Sequence, residues 1–284
     1  GNGPVLFVYR RCVYEKKTGF IRQVYKLSDR LTASLSHRVV PISRQLRRFL
    51  VAEHISPEHK TTLVGQGSSN GIDVGYFHSS SQTQVEGEQF CKRHDIAPDQ
   101  PVILFLGRVI HEKGVDFLPC IFSKAKEVLP DLKMVIVGPE EAERDPIALV
   151  SHEYFENNPD VIRLDYVADP RPLFEVASVF CFPSHFEGFG NVILEAAAMG
   201  TPSVGFDVPG VQEAVAHDVS GLLSPFGDVE RMANDIVRIL TDMPLRDRLS
   251  KDGLERMRSS FGQEAFFERL DTLFNEIMGE GRRK

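Results

Sequence analysis

VILFLGRVIHEKG, residues 102–114, is the stretch that decides the fold. Its first five residues form a continuous apolar run, which is typical of a strand buried on both faces. A helical pattern follows, and the residues on its one apolar face are Leu118, Ile121, Phe122, Ala125 and Leu129. Together they predict one β-α unit, with residues 107–114 as the loop between strand and helix.

Further apolar runs downstream predict four more buried strands, at Lys133–Val137, Val161–Leu164, Val179–Phe182 and Ser203–Phe206. Helical patterns separate these runs. Continuous apolar strands between helices indicate a parallel sheet covered on both faces, so the predicted fold class is α/β with a doubly wound sheet. After Gly221 the pattern predicts helices only, of which the last spans residues 263–278.

A second, smaller unit precedes this sheet. Residues 5–9 and 37–42 predict strands, residues 20–35 predict a helix, and a short helix ends near residue 54. The glycine-rich segment 65–71 predicts a hinge. The expected division is therefore a partial Rossmann-like unit at 1–65, a hinge at 66–75, a Rossmann-like domain at 76–262 and a terminal helix at 263–280.

The composition excludes several classes of protein. With 284 residues, 42% hydrophobic and 26% charged, the chain is an ordinary globular protein, neither collagen-like nor largely disordered. No apolar run approaches the roughly 20 residues that span a bilayer. The four cysteines form no Cys-x-x-Cys pair, so we expect a reducing, cytoplasmic environment.

The charge is distributed unevenly along the chain. Residues 1–62 carry twelve Lys or Arg against four Asp or Glu, a balance of +8, whereas the whole chain carries -7 and the remainder therefore -15. A basic segment beside an acidic body suggests a surface that meets a phosphorylated acceptor, an acidic lipid leaflet or nucleic acid. A solvated helix face explains the same charges equally well.

The first candidate site is the predicted loop 107–114. In parallel sheets ligands gather at the carboxyl ends of strands, and a helix N-terminus there offers free N–H groups. Arg108 and Lys113 add two cations, a combination that suits a diphosphate. The loop is not a phosphate-binding Walker loop, because Lys113 precedes Gly114 instead of following it.

The second candidate site is PSHFEGFGN, residues 183–191, which also lies between a strand and a helix. Its two glycines allow backbone amides to approach a ligand. Glu187 in this loop and Glu195 on the following helix can face one cleft and accept hydrogen bonds from hydroxyl groups. Alternatively, Glu195 faces solvent and Glu187 caps the helix.

Other ligand classes lack their signatures. No Gly-x-Gly-x-x-Gly of a nicotinamide site, no Asp-x-Asp of a metal-diphosphate clamp and no His-x-x-x-His occurs in the sequence. We therefore expect neither a metal nor a cofactor. His111 and His185 lie in the two loops, but exposed loop histidines are usually incidental.

Taken together, the motifs resemble one family: the retaining glycosyltransferases of GT-B architecture, family four, of the bacterial capsule, O-antigen and exopolysaccharide type. The matching elements are Gly107-Arg108 to Lys113-Gly114, Glu187 to Glu195, and Ala196-Ala197-Ala198-Met199-Gly200-Thr201-Pro202. They occur in the family's order. Asp207-Val208-Pro209-Gly210 with Glu213, and Gly221-Leu222-Leu223, continue the resemblance.

The resemblance implies a donor-binding site for a UDP- or GDP-sugar. Arg108 and Lys113, beside Gly107, bind the diphosphate and take the place of a metal, while Glu195 holds the ribose hydroxyls. Glu187 contacts the transferred sugar, so the implied catalytic residues are Glu187, Arg108 and Lys113. The remaining donor contacts come from backbone groups of Tyr166, Val167, Gly188, Phe189, Gly190 and Asn191.

The resemblance also implies an acceptor side in the N-terminal unit, which holds only the last strands and helices of the family's domain. We therefore expect a truncated chain, with a lipid-linked or glycan-precursor acceptor and contact with an anionic membrane at its cytoplasmic face, but no nucleic-acid partner. The terminal helix normally crosses back to the N-terminal unit. Without a full partner its apolar face is expected to be exposed and to favour a homodimer, the face being Phe266, Phe267, Leu270, Leu273, Phe274 and Ile277.

Two alternatives remain open at the level of sequence. A catalytically impaired fragment binds the nucleotide sugar without transferring it, and turnover separates that case from a transferase. A sugar-nucleotide epimerase or a phosphorylase keeps a related architecture, although no lysine can be assigned to the cofactor of a phosphorylase.

Overall fold

The computed structural model describes residues 3–12, 14, 18–141, 143 and 145–281. Its first elements form a small N-terminal unit, in which two parallel strands pair in register from Leu6↔Arg38 to Tyr9↔Pro41. The elements are β1 (Leu6–Tyr9), α1 (Gly19–Leu35), β2 (Arg38–Pro41) and α2 (Arg44–Ala52). An isolated bridge joins Thr61 to Val39 and adds a third parallel segment.

The rest of the chain builds a larger unit around a six-stranded parallel sheet. Its strands are β3 (Val102–Leu106), β4 (Lys133–Val137), β5 (Val161–Leu164), β6 (Val179–Phe182), β7 (Ser203–Phe206) and β8 (Gly221–Ser224). Its helices are α3 (Ser81–Arg93), α4 (Leu118–Val128), α5 (Leu149–Asn157), α6 (Arg171–Val176), α7 (Asn191–Ala198), α8 (Val211–Ala214), α9 (Val229–Thr241) and α10 (Met243–Phe261).

The strand order is β5-β4-β3-β6-β7-β8, so the chain starts in the middle of the sheet and reverses direction between β3 and β6. Helices α4 and α9 pack against each other, as do α7 and α10, which is the arrangement of a doubly wound sheet. Most residues of the six strands are buried, because helices cover the sheet, whereas the four residues of the edge strand β5 are partly buried. The doubly wound α/β prediction is confirmed.

The five strands predicted in this unit occur at the predicted residues. The prediction that only helices follow Gly221 is wrong, because β8 begins there and pairs with β7 from Ser203↔Gly221 onward. This strand contains only two large apolar residues, Leu222 and Leu223, and it lies at the edge of the sheet. Three of its four residues are buried, but a glycine and a serine stand at its ends, so no continuous apolar run marks it in the sequence.

The last helix, α11 (Gln263–Gly281), packs on the N-terminal unit. Phe266, Leu273 and Ile277 are buried together with Val40 and Val64. The expectation that the whole apolar face is exposed is therefore wrong. Three of the six residues on which the expected homodimer depends are buried within the chain. Among the described residues, no helix has the length and apolar character needed to cross a bilayer.

The two units are also joined through Glu213 on α8. Its carboxylate accepts hydrogen bonds from the backbone N–H groups of Arg44, at 2.6 Å, and Gln45, at 2.9 Å. These are free donors of the first turn of α2, so a residue of the larger unit caps a helix of the smaller one. From α10, Arg256 holds the backbone carbonyl oxygens of Glu213 and Ala214 at 2.8 and 2.7 Å.

Replacing Glu213 by Ala is therefore expected to destabilise the chain by about 1 to 2 kcal/mol, the usual cost of losing a helix cap. Urea unfolding followed by circular dichroism measures this change. Gln212→Ala is the matched control, because Gln212 is exposed on the same short helix. Equal stability of the two variants would show that the carboxylate does not hold the units together.

Candidate functional site

Two loops meet where the strand order reverses. The β3 loop (residues 107–114) follows β3 and the β6 loop (residues 183–190) follows β6, and these strands are paired from Ile103↔Val179. Because the strands are parallel, both loops emerge at the same edge of the sheet. Such a reversal opens a crevice at the carboxyl ends of the strands, which is where doubly wound proteins bind ligands.

A glycine fixes the close contact between these loops. Gly114 has a φ of 70°, and a Cβ placed on it would lie 1.8 Å from the carbonyl oxygen of Pro183. Any other residue would push the two loops apart. The contact is completed by the backbone N–H of His185, which donates to the carbonyl oxygen of Glu112 at 3.0 Å.

The central feature of the site is an ion pair between the loops. The Nζ of Lys113 is hydrogen-bonded to the carboxylate of Glu187, and the two side chains are only 15% and 13% exposed. The buried Ser184 donates its hydroxyl to the same carboxylate at 3.1 Å. Lys113 also lies 5.5 Å from the centre of the Phe182 ring. A cation and a carboxylate shielded in this way interact more strongly than on an open surface.

A cavity of about 200 Å³ lies beside this pair. Residues of both units line it, namely Arg10, Arg11, Ile42, Ser69, Glu112, Lys113, Phe186, Glu187, Gly188 and Phe189. The cavity therefore lies between the N-terminal unit and the two loops.

Arg108 lies apart from the pair. Its guanidinium forms an ion pair with Glu141 at 3.0 Å, and its side chain is 38% exposed. In this conformation only one of the two predicted cations faces Glu187. Gly107 remains at the end of β3, where its N–H donates to the carbonyl oxygen of Val137 on the neighbouring strand.

Glu195 is the fifth residue of α7 and is largely buried. Burial raises the pKa of its carboxyl from 4.5 to about 7, because the charged form loses its hydration. Among the residues that the structure describes, none forms a hydrogen bond or ion pair with its side chain. The alternative in which Glu195 faces solvent is therefore wrong.

The other predicted donor residues are distributed around this crevice. Gly188 and Phe189 line the cavity, and the Phe189 ring packs 5.7 Å from that of Phe261. Gly190 directly precedes α7, and the side chain of Asn191 accepts a hydrogen bond from Ser68 at 3.1 Å.

Tyr166 and Val167 follow β5, two strands away from β3. Tyr166 is 76% exposed, and Val167 is partly buried against the core. No contact joins either residue to the ion pair in the part of the chain that the structure describes.

Several residues of the site were not found from the sequence. Ser184 donates a hydrogen bond to Glu187, and Glu141 forms an ion pair with Arg108. Arg11, which belongs to the N-terminal unit, donates to both carboxylate oxygens of Glu112 at 2.8 Å. Arg11 and Glu112 lie 101 positions apart, so no local pattern could pair them. The position of Ser184, directly in a loop at a strand end, was the one available signal.

The two loop histidines, His111 and His185, lie with ring centres 4.6 Å apart. The Nδ1 of His111 is 2.7 Å from the carboxylate of Asp116, whereas the ring of His185 packs against Phe117 and Phe226. Neither histidine is among the residues that line the cavity beside Glu187.

A family model described as "Glycosyl transferases group 1" matches residues 100–242, which include both loops and Glu195. The capsular polysaccharide biosynthesis glycosyltransferase CapM of Staphylococcus aureus is 28% identical over 279 residues, covering 98% of this chain and 72% of CapM. A D-inositol 3-phosphate glycosyltransferase of Kribbella flavida is 34% identical over 261 residues, covering 85% of this chain and 55% of that protein. The chain therefore spans part of these relatives.

Solved structures show the same fold. Anabaena Alr3699/HepE in complex with UDP superposes with a TM-score of 0.80 at 17% identity, covering 96% of this chain and 72% of that one. WaaG, a glycosyltransferase involved in lipopolysaccharide biosynthesis, superposes with a TM-score of 0.76 at 18% identity, covering 95% and 75%. The chain has the GT-B fold of these proteins and belongs to the glycosyl transferases of group 1.

Proposed function

We propose that the chain transfers a sugar from a UDP- or GDP-sugar to a lipid-linked or polysaccharide-precursor acceptor, with retention of configuration and without a metal ion. The shielded Lys113–Glu187 pair at the strand-order reversal is the observation that carries the proposal. The pair supports the proposal because its cation suits a phosphate and its carboxylate suits a sugar hydroxyl, and the two lie on adjacent loops. HepE, which has the same fold, is described in complex with UDP, and CapM is named for capsular polysaccharide biosynthesis.

In the proposed complex, both loops contact the donor. When the donor binds, Lys113 leaves Glu187 and pairs with the diphosphate, and Arg108 leaves Glu141 and does the same. The amides of residues 188–191, at the start of α7, approach the sugar and phosphates. Glu195 accepts hydrogen bonds from the ribose hydroxyls, and the backbone around Tyr166 and Val167 holds the base.

The chemical step breaks the bond between the sugar anomeric carbon and the β-phosphate oxygen. The electron pair leaves with the nucleoside diphosphate, whose negative charge Lys113 and Arg108 stabilise. The acceptor hydroxyl attacks the same carbon on the same face, and its proton passes to the departing phosphate oxygen. The carboxylate of Glu187 stabilises the positive charge that develops on the sugar ring.

Calorimetric titration of the chain with UDP, GDP and ADP, without added metal, tests the donor assignment. We expect one of the three to bind with a micromolar dissociation constant, which corresponds to a binding free energy of about -8 kcal/mol. The preferred base then identifies the donor class. Absence of binding by all three would contradict the proposal. Turnover with the matching nucleotide sugar then separates a transferase from a fragment that only binds its donor, and the anomeric configuration of the product, read by NMR, tests retention.

Replacing Lys113 by Ala is expected to weaken binding of the preferred nucleoside diphosphate by roughly 1.5 to 3 kcal/mol, the value of a hydrogen bond to a charged group. The same titration measures the loss. Lys251→Ala, which removes an exposed lysine on α10, is the matched control. Unchanged affinity in Lys113→Ala would rule out its contact with the diphosphate.

The same proposal places the chain at the cytoplasmic face of a membrane, because a lipid-linked acceptor is held there. The basic residues of the first 62 positions supply the charge for contact with an anionic leaflet. Sedimentation with vesicles that contain phosphatidylglycerol, compared with vesicles of phosphatidylcholine alone, measures this contact.

A further inference from the structure

Arg10 and Arg11, which directly follow β1, line the cavity together with Lys113 and Glu187. The contact is close: a Cβ on Gly188 would lie 2.4 Å from the carbonyl oxygen of Arg10. The N-terminal unit therefore brings two arginines to the place where the proposed function puts the transferred sugar.

The charges around the cavity are unequally paired. Lys113 pairs with Glu187, and Arg11 pairs with Glu112, whose side chain is 14% exposed. Arg10 forms no ion pair with any residue that the structure describes. Once a donor engages Lys113 and Glu187, the charged groups that remain among the described lining residues are two guanidinium groups and one carboxylate, Glu112, a net positive charge.

We propose that Arg10 and Arg11 form a subsite for a phosphate group carried by the acceptor. A guanidinium group can bind two phosphate oxygens at once. One nitrogen of Arg11, Nη2, already contacts an anion with two oxygens, because it lies 2.8 Å from both carboxylate oxygens of Glu112. The acceptor phosphate displaces Glu112 from Arg11 and pairs with Arg10. This subsite fixes the acceptor hydroxyl beside Glu187. The inference rests on the proposed function, because that function assigns Lys113 and Glu187 to the donor.

A different role for the same residues makes the opposite prediction. If Arg11 and Glu112 only tie the two units together, Arg11→Gln and Glu112→Gln break the same contact and change ligand binding in the same direction. If Arg11 binds a phosphate for which Glu112 competes, Arg11→Gln weakens phosphate binding and Glu112→Gln strengthens it.

The experiment uses the full chain saturated with UDP. Because UDP then occupies the donor diphosphate site, the phosphate of a probe cannot bind there. Two probe pairs are titrated calorimetrically: glucose 1-phosphate against glucose, and geranyl diphosphate against geraniol. We expect the phosphate-bearing member of at least one pair to bind about tenfold or more tightly, the effect of one charged contact. Preference within the glucose pair indicates a soluble phosphorylated acceptor, and preference within the geranyl pair indicates a lipid-linked one.

The variants then test the residues. Arg10→Gln and Arg11→Gln are each expected to remove most of the preference for phosphate, and Glu112→Gln to increase it by severalfold. Arg48→Gln, an exposed arginine on α2, is the matched control and should keep the preference.

The inference is overturned if charged and neutral probes bind alike, or if Arg11→Gln and Glu112→Gln change phosphate binding in the same direction. The UDP affinity of each protein separates the two levels of the proposal. If none of UDP, GDP and ADP binds, the proposed function fails and the subsite fails with it. If one of them binds and the phosphate preference is absent, only the subsite is wrong.

Discussion

Replacing Glu187 by Gln is expected to lower the rate of sugar transfer by about 100-fold or more, whereas UDP affinity changes by less than about threefold. Glutamine keeps the size of the side chain and its hydrogen bonds but removes the negative charge. In the proposed mechanism that charge acts on the sugar ring as it becomes positive, which happens only in the transition state. The loss therefore falls on kcat.

The reason that UDP affinity is preserved lies in the ion pair. Without a donor, Glu187 holds Lys113. Glutamine keeps a hydrogen bond to this lysine but not the ion pair, so Lys113 stays in place and remains available to the diphosphate. Lys113→Ala is expected to do the reverse and weaken nucleotide binding first.

Parallel measurements of transfer rate and UDP affinity separate these two effects. Glu276→Gln, an exposed glutamate on α11, is the matched control for the loss of one negative charge. Equal losses of transfer and of UDP binding in Glu187→Gln would show that Glu187 only supports the loop.

The positions of the strands could be predicted from the sequence because burial on both faces leaves a direct trace. Val102–Leu106 is apolar at every position, and the structure buries nearly all of it. The strand Gly221–Ser224 has no such trace, since only two of its four residues, Leu222 and Leu223, are large and apolar. The resemblance implied that the terminal helix crosses to the N-terminal unit, but not which residues it meets there, because Val40 and Val64 lie about 200 positions away from it in the sequence.

For the site, the sequence predicted which loops matter but not how their side chains pair. Lys113 and Arg108 were both predicted to bind a diphosphate, yet Lys113 forms an ion pair with Glu187 and Arg108 forms one with Glu141. Which carboxylate a lysine meets depends on loop packing, here on the close contact of Gly114 with Pro183. The contribution of Arg11 to the cavity depends on how two units dock, which no single motif contains.

Replacing Glu195 by Gln is expected to stabilise the chain and weaken its binding of UDP. The raised pKa, about 7, means that the folded state holds the carboxyl proton more tightly than the unfolded state does. The stability that this group contributes is present in full below the unfolded pKa of 4.5 and is lost as pH rises through about 7. Above that pH the buried carboxylate costs free energy that a glutamine does not.

Urea unfolding at two pH values measures this difference. At about pH 8 we expect Glu195→Gln to be more stable than the parent chain by roughly 1 to 3 kcal/mol, and at about pH 4 to be nearly equal to it. Glu255→Gln, on the exposed side of α10, should show no such pH-dependent gain. A stability difference that did not depend on pH would indicate a packing effect and not the removal of a buried charge.

UDP binding should respond with the opposite sign. Two ribose hydroxyls can donate strong hydrogen bonds to an ionised carboxylate, whereas their hydrogen bonds to the amide oxygen of a glutamine are weaker. The loss in affinity is therefore expected to be about 2 to 4 kcal/mol above pH 7. In the parent chain affinity should rise as pH increases through about 7, because the carboxyl must lose its proton first. The phosphate groups of UDP also titrate, so the ratio of the two affinities, parent to variant, isolates the contribution of Glu195. If that ratio stayed constant with pH, Glu195 would not contact the ribose, and its burial at the crevice would need a different explanation.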